Sequence, residues 1–148
     1  MPFPARAEHL HIAMISVHTD PWGEAGTGDV GGMNIVIRET AAQLVAAGHS
    51  VDVFIRRSRP DAEGDRRVGE RLRVVALNAG PAHPLSKGDH EAVVPAFAAA
   101  LQDHHGYDVV HAHHWYSGLA AERWAQDARA AFVQSFHSIA APVASPLD

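Results

Sequence analysis

The sequence contains no cysteine, so disulfides and thiolate metal sites are excluded, and the chain fits a reducing compartment. Lysine is nearly absent. Lys87 stands alone, and every other basic side chain is arginine. Aromatic residues are few, at 7%. No apolar run approaches the ~20 residues of a membrane span. The opening Met1-Pro2-Phe3-Pro4 carries no basic region before a long apolar stretch, so no secretory signal is expected and the chain is expected to be cytoplasmic. An excess of positive charge is also lacking. The net charge of -5 argues against nonspecific nucleic-acid binding.

What is present is a globular composition, with 47% hydrophobic and 20% charged residues in 148. That length supports one compact domain and excludes disorder. Histidine is over-represented, at 12 residues. Its charge changes near pH ~6.5.

Apolar runs at residues 11–17, 51–55 and 72–77 have the length and flanks of strands buried on both faces. Residues 107–111 and 131–135 read as two more. The 56–71 stretch is charged and turn-rich, an exposed excursion with short edge strands. Helical spacing begins near Met33, through Ile37, Ala41, Leu44 and Ala47, and Gly48 is its stop. An alanine-rich helix is expected over 89–105, with Pro95 near its start or at a kink. Another is expected over 117–129, with Ser117 as N-cap. Residues 1–10 read as a leader and 140–148, with Pro142 and Pro146, as a linker. Strands alternating with helices imply an α/β fold. It is a single Rossmann-like, doubly wound parallel sheet with helices on both faces over residues 11–139. Ligand sites in that architecture lie at the carboxyl ends of the strands.

Three histidine-bearing segments fall there: His18-Thr19, then His111-x-His113-His114-Trp115, then His137-Ser138. Zinc could use the imidazoles, but the HxH spacing is common by chance and no carboxylate supports it, so no metal is expected. Gly26-Thr27-Gly28-Asp29-Val30-Gly31 matches G-x-G-x-x-G, and Arg56 and Arg57 suggest a 2′-phosphate site for NADP. The dinucleotide fingerprint, however, starts immediately after the first strand, and about eight residues intervene here. Asp52 also stands at the start of the second strand, where a ribose-binding acid would stand near its end. Gly31-Gly32 opens a helix whose first N–H groups lack intrahelical partners, an arrangement suited to an anion. Lys87, in the loop after the third strand, is a candidate phosphate contact.

Taken together, Ser16-Val17-His18-Thr19-Asp20-Pro21, Gly26-Thr27-Gly28-Asp29, Gly31-Gly32-Met33-Asn34, Ala79-Gly80-Pro81, Leu85-Ser86-Lys87, His111-x-His113-x-Trp115 with Ser117-Gly118, and His137-Ser138 resemble the N-terminal, acceptor-binding domain of retaining GT-B glycosyltransferases of family 4 type. Inositol-phosphate glycosyltransferases are the more similar group; sucrose and sucrose-phosphate synthases are more distant. The resemblance implies transfer of a hexosyl group, with retention, from a nucleotide sugar such as a UDP-sugar to a small polar or phosphorylated acceptor. It needs no other cofactor. It implies that Gly31 and Gly32 approach the donor diphosphate and that His137 faces the transferred sugar. It places His18, Thr19, Asn34, Lys87, His113, His114 and Ser138 around the acceptor. Ser138 stands where the family has threonine, and His114 where it has tyrosine. A protonated His114 would hold phosphate more strongly below pH ~6.5. The family's second domain, which binds most of the donor, would be the partner of this half-fold, and a face meant for it could self-associate. The alternatives are a noncatalytic binding or assembly module and an NAD(P)-dependent oxidoreductase domain.

Overall fold

The computed structural model describes residues 8–23, 31–61 and 64–138. The predicted leader through residue 7, the glycine loop 24–30 and the tail from 139 lie outside them. The elements run β1 (His11–Ser16), α1 (Gly32–Ala46), β2 (Ser50–Arg56), β3 (Asp65–Gly69), β4 (Leu72–Leu77), a 3₁₀ helix (Lys87–Val93), α2 (Val94–Leu101), β5 (Val109–His113), α3 (Trp115–Asp127) and β6 (Ala131–Ser135). They build a six-stranded sheet ordered β3-β4-β2-β1-β5-β6. All neighbours pair in parallel except β3, which is antiparallel to β4.

Alternation along each strand sends side chains to opposite faces. On one face Ala13, Ile15, Phe54, Val75, Val110 and Ala112 pack under Phe97 and Leu101 of α2 and Ala120, Ala121 and Trp124 of α3. On the other, Ile12, Met14, Val51, Val53 and Val74 pack under Ile37 and Ala41 of α1. The strands read as continuous apolar runs because both faces are covered. Among the described residues no helix is long and apolar enough to cross a membrane.

Helix α1 ends as its sequence predicts. Gly48 takes φ +103°, and the His49 and Gly48 N–H groups bond the carbonyls of Leu44 and Val45 at 3.1 and 3.0 Å. This closes the helix in a Schellman motif. The expected helix over 89–105 is divided: a 3₁₀ helix comes first, and Pro95 stands in the first turn of α2, where its missing N–H costs no hydrogen bond. Strand β5 lies two residues later than predicted, because it continues through Ala112 and His113. Helix α3 starts two residues earlier, and its N-cap is His114 instead of Ser117. The Ser117 hydroxyl, fully buried, accepts the Val17 N–H at 3.1 Å and so satisfies the backbone just past β1.

From β1 the chain winds outward to β2 and β4, then returns to place β5 on the other side of β1. The direction therefore reverses between β1 and β5. A crevice opens at such a reversal, outside the carboxyl ends of the two strands.

Candidate functional site

The segment after β1 is fastened by its own polar groups. Ser16 Oγ donates to the Thr19 carbonyl at 2.8 Å, and Thr19 Oγ1 donates to Asn34 Oδ1 at 3.1 Å. Asp20 pairs with Arg66 at 2.6 Å and accepts the Trp22 N–H at 2.9 Å. Thr19 and the buried Asn34 thus tie the β1 loop to the start of α1. His18, one residue earlier, packs its ring against His114 at 4.5 Å, with His90 and Tyr116 each 5.9 Å away.

His114 follows β5 with φ +70°, and His137 follows β6 with φ +57°. Each is a non-glycine residue in the left-handed region, which costs of order 1–3 kcal/mol and persists only where surroundings enforce it. For His114 the enforcement is visible. The His114 N–H bonds the Ser135 carbonyl at 2.8 Å, and Gln134 Nε2 donates to the His114 carbonyl at 3.1 Å. Its Nδ1 accepts the Tyr116 N–H at 3.4 Å as the helix cap.

Beside this lies a stack of imidazoles. His111 and His113 share the α1 face of β5, with ring centroids 4.0 Å apart. His111 Nε2 meets Ser135 Oγ at 2.8 Å, and His113 Nδ1 meets His137 Nε2 at 2.9 Å. Burial lowers the pKa of all three, and their mutual repulsion adds to this for His111 and His113. His113, fully buried, is pushed down to about 3. The stack is therefore neutral at pH 7. Among the described residues no group of three or more histidine, aspartate or glutamate side chains is arranged to hold a metal ion.

A cavity of about 350 Å³ opens at these strand ends, lined by His18, Gly31, Gly32, Met33, His114, His137 and Ser138. Six residues expected at the site thus share one cavity. Helix α1 points its N-terminus into it, with no side-chain cap on Gly31 and no acidic residue in the first turn. Its leading N–H groups and dipole favour an anion there. Thr19 and Asn34 stand behind the lining, and His113 lies beneath His137. Lys87 opens the 3₁₀ helix on the same rim; its side chain is outside what the structure describes. Gln134 was not foreseen. Its amide bridges the carbonyls of His114 and Ser135, both at 3.1 Å, and Gly118 leaves room for it. A glycine inside an otherwise helical stretch was the one sequence signal of this close approach.

The groups that suggested a dinucleotide are committed elsewhere. Arg56 is buried, and its guanidinium holds the carbonyls of Pro81 and His83 at 2.7 and 2.8 Å. Asp52 receives Arg73 in a two-point ion pair at 2.8 and 2.9 Å and the Tyr107 hydroxyl at 2.6 Å. Burial alone would raise the Asp52 carboxyl, but these hydrogen bonds and the Arg73 charge hold it below its usual value. A second cavity, of about 320 Å³, is lined by His11, Asp52, Arg67, Arg71 and Arg73 at the opposite end of the sheet.

The sequence model of the glycosyl transferase 4-like domain matches residues 31–148. The chain is 45% identical over 117 residues to a D-inositol 3-phosphate glycosyltransferase of Corynebacterium urealyticum, covering 76% of this chain and 28% of that protein. It is 37% identical over 141 residues to the enzyme of that name in Corynebacterium glutamicum, covering 89% and 33%. The chain thus spans about a third of the length of the curated relatives it matches. Among solved structures, sucrose-phosphate synthase from Thermosynechococcus elongatus superposes with a TM-score of 0.82 at 31% identity, over 88% of this chain and 33% of that one. Starch synthase IV from Arabidopsis thaliana, at 17% identity and a TM-score of 0.53, shares the fold alone. A doubly wound sheet with its crevice between β1 and β5, a family match over most of the chain and these relatives agree: the chain belongs to the glycosyl transferase 4-like domain family.

Proposed function

We propose that this chain is the acceptor-binding part of a retaining glycosyltransferase, which moves a hexosyl group from a nucleotide sugar to a hydroxyl of a small polyol or sugar, phosphorylated in the favoured case. The observation that carries this reading is the cavity itself. A helix N-terminus, paired glycines and the imidazoles of His18, His114 and His137 converge on it, with the Ser138 hydroxyl at its edge. No other part of the described structure offers such a set at the strand ends.

In the transfer, negative charge builds on the leaving diphosphate. The N–H groups at Gly31-Gly32 are fixed before the reaction and aimed at the cavity, so they stabilise that charge without reorganising. His137 faces the transferred sugar. His18, His114 and Ser138 shape the acceptor side, with Thr19 and Asn34 holding the β1 loop in place. Neutral imidazoles serve hydroxyls as both donors and acceptors. Lys87 supplies the point charge for an acceptor phosphate. A second domain, supplied by the rest of a longer enzyme, would carry most of the nucleotide. The exposed Phe132 and Val133 of β6 and the exposed Phe136 give apolar surface for such a partner or for a second copy. The absence of cysteine supports a cytoplasmic setting.

Calorimetric titration with D-inositol 3-phosphate tests the acceptor half of this reading. Binding is expected, weakened about tenfold or more in Lys87→Ala, as for loss of a charge-assisted contact. Equal affinity of the two proteins would remove Lys87 from the site. No binding by either would remove the acceptor class.

A further inference from the structure

We propose that His113 is a positioning residue that sets the tautomer of His137, so that His137 presents Nδ1–H to a ligand oxygen. The proposal deepens the reading above and rests on it for the ligand, a sugar whose hydroxyl oxygens accept a hydrogen bond.

His113 is fully buried, and its Nδ1 lies 2.9 Å from His137 Nε2. The two rings lie nearly parallel, with an interplanar angle of 27° and centroids 5.1 Å apart. A neutral imidazole has one donor and one acceptor nitrogen. Two arrangements therefore satisfy the contact. In the first, His113 Nδ1–H donates and His137 Nε2 accepts, which puts the His137 proton on Nδ1. In the second, His137 Nε2–H donates, and the His113 proton must sit on Nε2. That His113 atom is buried and has no hydrogen-bond partner among the described residues. The second arrangement thus strands an N–H in the interior, and orphaned buried N–H groups are rarer than under-satisfied acceptors. The first arrangement leaves only a bare lone pair there.

The surroundings hold this choice in place. His111 stacks on His113 and is itself tied to Ser135 Oγ at 2.8 Å. The backbone of His137 stands at φ +57°. The His137 ring makes no other hydrogen bond among the described residues, so Nδ1 is the nitrogen left for the cavity it lines. His113 acts through His137, at one remove from any ligand.

Long-range ¹H–¹⁵N spectra of the full chain at neutral pH test the proposal. The expected pattern is a protonated Nδ1 and a bare Nε2 on both His113 and His137. Histidine free in water prefers the opposite tautomer, so the signature is distinct. A His137 protonated on Nε2 would overturn the proposal, and this measurement needs no variant. In His113→Phe the His137 ring is expected to revert to Nε2–H. In His113→Asn, whose amide N–H reaches the place of Nδ1–H, the native tautomer is expected to return. Reversion in neither variant would also overturn it. Titration of UDP-glucose in the same spectra separates the two levels. Binding about tenfold weaker in His113→Phe and regained in His113→Asn is expected for one lost hydrogen bond. No response of His137 to UDP-glucose in the native chain would remove the sugar-binding reading while the tautomer assignment stood. A response of equal strength in all three proteins would overturn the positioning role.

Discussion

Lowering the pH below 6.5 should destabilise the folded chain through His113. In the unfolded chain this histidine takes up a proton near its ordinary value of 6.5, whereas in the folded chain burial delays protonation to about 3. Between those values the unfolded state binds more protons, so stability falls as the pH falls; above them both states are neutral and stability is unaffected. Each pH unit inside the gap removes about 1.4 kcal/mol, so acidification to pH 5 removes about 2 kcal/mol through His113 alone. His111 and His137 are depressed in the same direction and steepen the loss. Urea unfolding at pH 7 and pH 5 reads the effect, in the native chain and in His113→Phe. The native chain should lose about 2 kcal/mol more than the variant. Equal losses would show that His113 is not held neutral by burial. A native chain whose urea midpoint does not move between the two pH values would refute the reasoning without recourse to the variant.

Three further substitutions probe the frame. Asp52→Asn breaks the ion pair with Arg73 and weakens the bond from Tyr107; because the Arg73 side chain is 42% exposed, water recovers part of the loss, and about 2–3 kcal/mol of stability should go. Asp52 is depressed below 3.8, so the stability it confers is present above that value and is lost as the pH falls through the lower folded one. The variant should flatten a urea-midpoint profile below pH 4. Gly80→Ala puts a Cβ 2.5 Å from Val93 Cγ1 at φ +72°, and thermal unfolding should show a loss of more than about 1 kcal/mol. Gly118→Ala drives a Cβ into Gln134 Oε1 and should displace the amide from the His114 carbonyl, at about 1 kcal/mol. In a Gln134→Ala background the same change should cost little, and a cost unchanged there would reject the coupling.

Strand periodicity carried most of the fold. The apolar runs of β1, β2 and β4 have the length and flanks of buried strands, and Gly48 stopped α1 where expected. The candidate site was legible as residue types at strand ends, because loops after parallel strands must gather on one rim. Its fine structure was not. His113 read as a loop residue because polar side chains at a sheet end break the apolar pattern, yet it belongs to β5 and stacks on His111 on one face. The left-handed backbone at His114 and His137 has no sequence signature, since neither residue is glycine or asparagine. Ser117 read as a helix cap from its type, but the N–H left beyond β1 claims its hydroxyl. The partner of a polar side chain depends on what the fold brings near it, which local spacing does not encode.

The central claim is that the cavity between the ends of β1, β5 and β6 binds a phosphorylated acceptor. The imidazole resonances of the chain, followed during titration with D-inositol 3-phosphate, test it most directly. The account predicts shifts at His18, His114 and His137, with His9, His11 and His49 at the opposite end of the sheet unmoved. Shifts confined to His11 and its neighbours beside Arg67 and Arg71, or no shift at any histidine, would contradict it.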